Sequence, residues 1–562
     1  MKRSEMWAAL GEEPLDLLVI GGGINGVGVA RDAALRGLKV GLVEARDLAY
    51  GTSSRSSKLV HGGLRYLEMM EFGLVFESVS ERRILMDIAP HLVHPLGFLF
   101  PIYKDSPKNL TMIKTGLLLY EGLSLFRSPK RHQRLKPADI GKKEPVLTQK
   151  GLKGAPLYYD CSTDDARLTL ENGIDAARAG ATVVTWARAI EFVLDEKTGR
   201  INAVVVEDSL TGEQKKVSAA VVVNATGPWT DKTRGLGKED YRDLLRPTKG
   251  VHIVVQREKL PVNHAVVCFH PDDERVLFAV PWGDQTYVGT TDTDFEGDPG
   301  KVYASGSDVE YLTQAARRYF PEHPIEKADV ISTWAGLRPL IAPGGEGGEV
   351  SESKVSREHQ VLVDQDGMIT VAGGKLTTYR KMSAEVVEAV LKFLRLIGKE
   401  PAGIKEVCTS RRLLPGAEGW PHDAEDEVIV SILEKRTVEE SGELLDEATA
   451  SYLVATYGVR APEVGALVKA NEDLQEKISA GRPELLAQVD FGVFEEFATT
   501  VTDIMLQRTQ LYYRAADQGL EGSRKVSKRM AHLLGWSEER RIKEVERFHH
   551  DVHLSQKWRH EA

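Results

Sequence analysis

The run Ser56-Ser57-Lys58-Leu59-Val60-His61-Gly62-Gly63-Leu64-Arg65-Tyr66-Leu67 sets Lys, His, Arg and Tyr around a double glycine. Glycine lets a backbone approach a flat or charged ligand closely. Cations and ring donors beside it suit phosphate and carboxylate. The run is expected to lie along a bound cofactor, with some side chains left over for a substrate. A second run of this character, Gly373-Gly374-Lys375-Leu376-Thr377-Thr378-Tyr379-Arg380-Lys381-Met382, follows the apolar stretch Ile369–Ala372. It opens a helix whose first amides and lysine would face the same ligand. Arg65, Arg338 and Arg357 each stand beside a glycine turn or loop. Guanidiniums beside glycine turns suit an anionic ligand. His252, on a short strand just after Lys249-Gly250, is the candidate general base. A structural histidine on an edge strand fits the same residues.

The elements that must position these groups begin at the N-terminus. Leu15 to Ile20 is an apolar run broken only by Asp16, and Gly21, Gly23 and Gly26 then complete G-x-G-x-x-G. Small residues at helical spacing follow to Gly37, and Lys39–Glu44 is a strand closing on an acid. In this arrangement the first glycine makes the turn, the second admits a pyrophosphate and the third lets the helix pack on the sheet; the acid meets a ribose hydroxyl. A dinucleotide site is expected, and Glu44 favours a free 2′-hydroxyl, hence FAD or NAD. Lys216–Val223 runs into Asn224-Ala225-Thr226-Gly227-Pro228-Trp229, a further strand-to-turn edge that would close on the cofactor.

At 562 residues the chain is long enough for two or three domains. Seventy-three basic against 83 acidic residues give a formal charge of −10, which argues against nucleic acid as the main partner. Cys161, Cys268 and Cys408 are spaced for neither a disulfide framework nor a zinc site, so no metal and a reducing compartment are expected. The N-terminus does not read as a signal peptide, and no stretch reaches the length and purity of a membrane-spanning helix. Leu110–Phe126 comes closest; Arg127, Lys130, Arg131 and Arg134 follow it. Burial as a packing helix is the favoured reading, and an in-plane membrane helix with a basic shoulder is the alternative. Short β-rich runs between Arg246 and Leu340 predict an antiparallel sheet, and the pattern beyond Pro401 is helical and charged. The expected fold class is α/β. A Rossmann-like FAD-binding domain takes residues 1–70, 157–240 and 350–395. An antiparallel-sheet substrate domain takes 71–156 and 241–349, and a helical C-terminal domain takes 396–562.

Four stretches together, Ser56–Leu67, Asn224–Trp229, Gly336-Leu337-Arg338-Pro339 and Gly373–Met382, resemble the FAD-dependent glycerol-3-phosphate dehydrogenases, respiratory enzymes that pass electrons to quinone. The resemblance covers nearly the whole chain, including the C-terminal segment Asp503–Thr509. Ser383, where the family often has alanine, is a small departure. The resemblance implies that Gly21, Gly23, Gly26, Glu44, Ser57, Lys58, His61 and Gly62 line FAD, with Gly227, Gly374, Lys375, Leu376 and Thr377 closing over it. It also implies that Arg65, Tyr66, Arg338, Arg357 and Lys375 hold glycerol 3-phosphate; for the chemistry itself His252 is the candidate base, and Lys375 or Arg338 could instead stabilise an alkoxide with proton loss to water. A cytoplasmic protein on the inner face of the cell membrane follows, attached peripherally or monotopically because quinone lives in the bilayer. A homodimer is compatible with the resemblance. The rival readings are a glycerol-3-phosphate oxidase using O2, another oxidoreductase of the amino-acid oxidase superfamily, and a flavoprotein scaffold without turnover. The oxidases carry a long insertion after the Arg-Pro, whereas only a short loop joins Arg338 to Arg357 here.

Overall fold

Apolar runs buried on both faces form parallel strands. In a computed structural model, which describes residues 2–63, 70–123, 129–236, 243–342, 359–421 and 426–561, the runs around the glycine motif do so. One sheet has the order Gln360–Val363, Ile369–Ala372, Gln214–Asn224, Leu15–Ile20, Val40–Val43, Thr182–Val184. Leu15–Ile20 sits centrally, parallel to both neighbours, and Gln360–Val363 is an antiparallel edge. The expected hairpin of Ile201–Asp208 with Gln214–Asn224 is present, and Ala187–Leu194 adds a further antiparallel strand to it. Helices Ile24–Leu35, Asp165–Arg178 and Tyr379–Leu396 share one apolar core with this sheet through Val19, Val27, Ala30, Leu168 and Val386.

The second sheet is nearly all antiparallel and has 11 strands among the described residues. Thr248–Gln256 lies between Gln285–Gly289 and Val330–Arg338. Leu152–Ser162 pairs with His94–Leu99 along most of its length and also with Leu59–Val60. This sheet therefore runs past the boundary expected at residue 157 and takes in part of the 1–70 segment. Leu59–Val60, from the first glycine-containing run, and the second sheet are one continuous hydrogen-bonded surface.

The C-terminal region is helical, including Asp426–Glu440, Glu447–Tyr457, Ala461–Ala470, Leu520–Leu534 and Glu538–Ser555. It is not a loosely tethered body. Arg508 and Asp47, both buried, form an ion pair between it and the loop after Glu44, and the Trp186 ring nitrogen donates to Asp503. No helix among the described residues is long and apolar enough to cross a membrane. No group of three or more His, Cys, Asp or Glu among them could hold a metal ion. The segment Leu110–Leu123 is a helix with two faces: Leu117 and Tyr120 are buried, whereas Leu118 is 61% exposed, Leu119 43% and Met112 48%.

Candidate active site

The glycine turn is built by contact. Gly21 has φ +111°, and a Cβ on Gly26 would stand 1.8 Å from the Gly21 carbonyl oxygen, so helix and strand meet with no room for a side chain. Gly23 is the N-cap of Ile24–Leu35 and has no side chain to cap it; Ile24 N–H donates to Ser53 Oγ at 2.9 Å, and the next amides of the first turn are those that could meet an anion. At the end of Val40–Val43, the Glu44 carboxylate accepts N–H bonds from Gly22 at 2.6 Å and Arg46 at 2.8 Å. Burial raises the pKa of this carboxyl. The two amides fix its plane at the strand end, the position from which an acid reaches a ribose.

The loop from Gly51 to Lys58 is stitched to the substrate sheet. Thr52 donates to the Leu337 carbonyl at 2.7 Å, Trp334 Nε1 to the Ser56 carbonyl at 3.1 Å and the Tyr287 hydroxyl to the Ser57 carbonyl at 2.6 Å. Lys58 departs from its expected role. Its ammonium is 2% exposed and donates to Asp165 at 2.6 Å and to the Ser54 carbonyl. Burial alone would lower its pKa; Asp165 and Asp164 outweigh that and raise it. Whatever Lys58 offers a cofactor is backbone, because an acid at the first turn of Asp165–Arg178 draws the side chain inward.

His252 is 2% exposed. Its ring stacks on Trp334 at 4.8 Å between centroids, and its Nε2 lies 2.9 Å from Ser57 Oγ. Nδ1 is buried without a hydrogen-bond partner. Burial, then the charges of Arg338 and Lys58, hold the imidazole well below its ordinary 6.5, so it is neutral at pH 7. Arg338, at the end of Val330–Arg338, is gripped by Asp292 at 2.8 Å, Thr290 Oγ1 at 3.1 Å and the Thr291 carbonyl at 3.1 Å. These contacts fix the plane of its guanidinium fork.

The turn at Lys375 closes on the first run from the other side. The Thr377 hydroxyl exchanges hydrogen bonds with the His61 backbone, at 3.2 and 3.3 Å. Gly373 and Gly374 have φ +74° and +85°, and Leu376–Thr378 is a single tight turn. Lys375 Nζ stands 3.4 Å from Ser78 Oγ on helix Phe72–Ile88. Gly62 rests on a buried set: its N–H donates to the Tyr120 hydroxyl at 2.9 Å, Tyr120 bonds Asp160, and Asp160 pairs with Arg82. Gly227 takes φ +55°, and nothing lies within 4 Å of where a Cβ would be. Arg65, Tyr66 and Arg357 lie outside the described residues. The structure thus brings Ser57, His252 and Arg338 together, and joins His61 to the turn that carries Lys375. Spacing did not reveal Asp165 or Asp292, the acids that hold Lys58 and Arg338.

This geometry has counterparts in known proteins. The family described as FAD dependent oxidoreductase matches residues 16–380, and the one described as C-terminal domain of alpha-glycerophosphate oxidase matches 407–541. The aerobic glycerol-3-phosphate dehydrogenase of Staphylococcus saprophyticus is 35% identical over 539 residues, 96% of this chain and 94% of the relative. The chain belongs to the FAD-dependent glycerol-3-phosphate dehydrogenases. Within that family, the glycerol-3-phosphate dehydrogenase of Synechocystis is 35% identical over 95% of both chains. The solved Bacillus halodurans glycerol-3-phosphate dehydrogenase complexed with FAD superposes with a TM-score of 0.79 at 31% identity, covering 98% of this chain and 97% of that one. FAD is the family member's cofactor. Gly21, Gly23, Gly26 and Glu44 fit it: the turn admits a pyrophosphate and the acid stands where the ribose would be.

Proposed function

We propose that this enzyme oxidises sn-glycerol 3-phosphate to dihydroxyacetone phosphate and passes the electrons to membrane quinone. The observation that carries this reading is the pairing of a clamped guanidinium, Arg338, with a buried neutral imidazole, His252, beside the cofactor-facing loop. Arg338, with Arg65, Tyr66 and Arg357, would hold the phosphate and hydroxyls, and the fork suits two phosphate oxygens at once. Lys375 would steady the developing alkoxide at C2. His252 would accept the C2 hydroxyl proton, because its unprotonated form persists well below pH 7. The bound flavin supplies the hydride acceptor, its N5. Ser57, His61, Gly62, Gly227, Gly374, Leu376 and Thr377 would shape the walls around it.

A bilayer-resident acceptor requires membrane contact. Met70, Phe72 and Phe76 are exposed at one helix, and Met112, Leu118 and Leu119 at the next. The two helices pack together through Val75, Val79 and Tyr120. This apolar face with Lys130, Arg131 and Arg134 after it suits peripheral insertion on an anionic, cytoplasmic surface. On this reading the Leu110–Leu123 helix would bury one face in the protein and offer the other to the membrane.

The test is anaerobic mixing of the FAD-loaded protein with glycerol 3-phosphate, followed at the oxidised-flavin band near ~450 nm. Rapid bleaching supports the substrate reading, and no bleaching rules it out. On admitting air, slow recolouring with fast quinone reduction is expected. Fast recolouring with peroxide would replace quinone by O2.

A further inference from the structure

A cavity lies where strand Val330–Arg338 and the loop Gly300–Ala304 meet the helical domain, with Trp334 on its wall. About 40 Å³ of it is reachable by the centre of a water molecule, room for roughly three waters or one small oxyanion. Its cation is Arg55. Four phenols crowd this guanidinium, Tyr513, Tyr50, Tyr512 and Tyr303, with the Asp551 carboxyl also within its field; the Tyr50 ring centroid lies 5.3 Å away. Arg55 makes no ion pair among the described residues. A second guanidinium, Arg46, stands 5.6 Å from the same Tyr50 ring.

Asp551 is the one acid on the cavity wall. Burial raises its carboxyl, and Arg46, His550, Arg55 and Arg547 are the groups that draw it back down. Arg547 is already paired with Glu544, which leaves Arg46 and Arg55 against the one carboxyl of the wall. Thr502 also faces the cavity; it is 8% exposed, and its hydroxyl makes no hydrogen bond. A buried donor without a partner is costly unless something occupies the space before it.

We propose that this cavity binds a small oxyanion, phosphate or carboxylate, between Arg55 and Thr502, and that the anion acts as an effector. Trp334 lines the cavity and stacks on His252. Its indole N–H also holds the Ser56 carbonyl, and Tyr513 meets it edge-on at 5.7 Å. An anion that shifts Tyr513 and Trp334 presses on the imidazole from a site the substrate does not enter. The binding claim stands apart from the proposed reaction; only the effect on turnover rests on that reading.

The experiment is calorimetric titration of the FAD-loaded protein with inorganic phosphate at fixed ionic strength, with dihydroxyacetone phosphate present to fill the substrate site. Saturable binding is expected. Arg55→Gln should weaken it at least about tenfold, and Asp551→Asn should tighten it about threefold, because charge-assisted bonds to the anion are lost in one and repulsion in the other. At saturating substrate, phosphate should change kcat in the unsubstituted enzyme and not in Arg55→Gln. Phosphate binding equal in Arg55→Gln, or abolished by dihydroxyacetone phosphate, overturns the proposal. Should Arg55→Gln fail to fold, Asp551→Asn decides alone, and unchanged or weaker binding there overturns it.

Discussion

Lys58 and Lys375 sit in similar words, Ser57-Lys58-Leu59 and Gly374-Lys375-Leu376, in two loops that meet at one site, yet they are different parts. Lys58 points into the protein, 2% exposed and paired with Asp165. Lys375 is half-buried at a turn, with its ammonium 3.4 Å from the hydroxyl of Ser78. The deciding factor is the helix beneath each loop. Asp165–Arg178 presents a carboxylate at its first turn, whereas Phe72–Ile88 presents a neutral hydroxyl to Lys375. One run is a platform held by an internal ion pair; the other, in the proposed reaction, would turn its cation to the substrate.

The comparison breaks if the two lysines respond alike to loss of charge. Lys58→Met strands a buried carboxylate and should cost about 3–5 kcal/mol of stability. Lys375→Met should cost less than about 1 kcal/mol yet lower kcat/KM roughly 100- to 1,000-fold, as removal of a charge-stabilising donor does. Denaturant unfolding and dye-linked kinetics on both variants separate the two outcomes. Greater destabilisation by Lys375→Met than by Lys58→Met would reverse the assignment.

A further acid on the Asp165 helix sharpens the platform reading. Glu171 is buried against His91 and Arg167 and accepts the Gly416 N–H at 2.9 Å. Burial alone would raise its carboxyl, but His91, Arg167 and that amide bring it from 4.5 to about 2. A depressed carboxyl contributes stability that is fully present above 4.5 and lost as pH falls toward about 2. Glu171→Gln should therefore cost about 3 kcal/mol near neutrality and flatten the fall in stability across that acid window. Parallel pH–stability curves for the two proteins would show that Glu171 does not link the helix to the Gly416 turn.

Arg338 tests the ligand side. Arg338→Lys keeps the charge and loses the fork, so kcat/KM should fall about 10- to 100-fold with little change in unfolding midpoint. Asp292→Asn, which frees the guanidinium without removing it, should cost less. If Asp292→Asn matched Arg338→Lys, the ion pair rather than the arginine would be the working unit.

What was legible in the sequence was local. Gly26 packs on Gly21 five positions away, and Glu44 closes the next strand, so the nucleotide turn carries its own signature. The partners that redirect side chains are remote: Asp165 lies 107 positions from Lys58 and Asp47 lies 461 from Arg508. No spacing rule reaches that far. The break at residue 157 failed to show for the same reason, since only pairing with His94–Leu99 reveals that Leu152–Ser162 belongs to the second sheet. Leu117-Leu118-Leu119 is apolar all round, so its pattern held no information on which leucine faces inward.

That leucine triplet supplies the smallest effect on the fold and a clean contrast within one helical turn. Leu117 is 1% exposed, whereas Leu118 and Leu119 lie on the open face. Leu118→Ser with Leu119→Ser removes exposed apolar surface that the proposed membrane contact would cover. It should change stability by less than about 0.5 kcal/mol and leave dye-linked turnover intact. Binding to anionic vesicles should weaken about tenfold or more, because each leucine side chain contributes roughly 1.5–3 kcal/mol when fully buried. Leu117→Ser should do the reverse, lowering the unfolding midpoint through a polar group in a packed core. Unchanged vesicle sedimentation by the double variant would remove this face from the membrane contact and leave the acceptor to be reached by another surface.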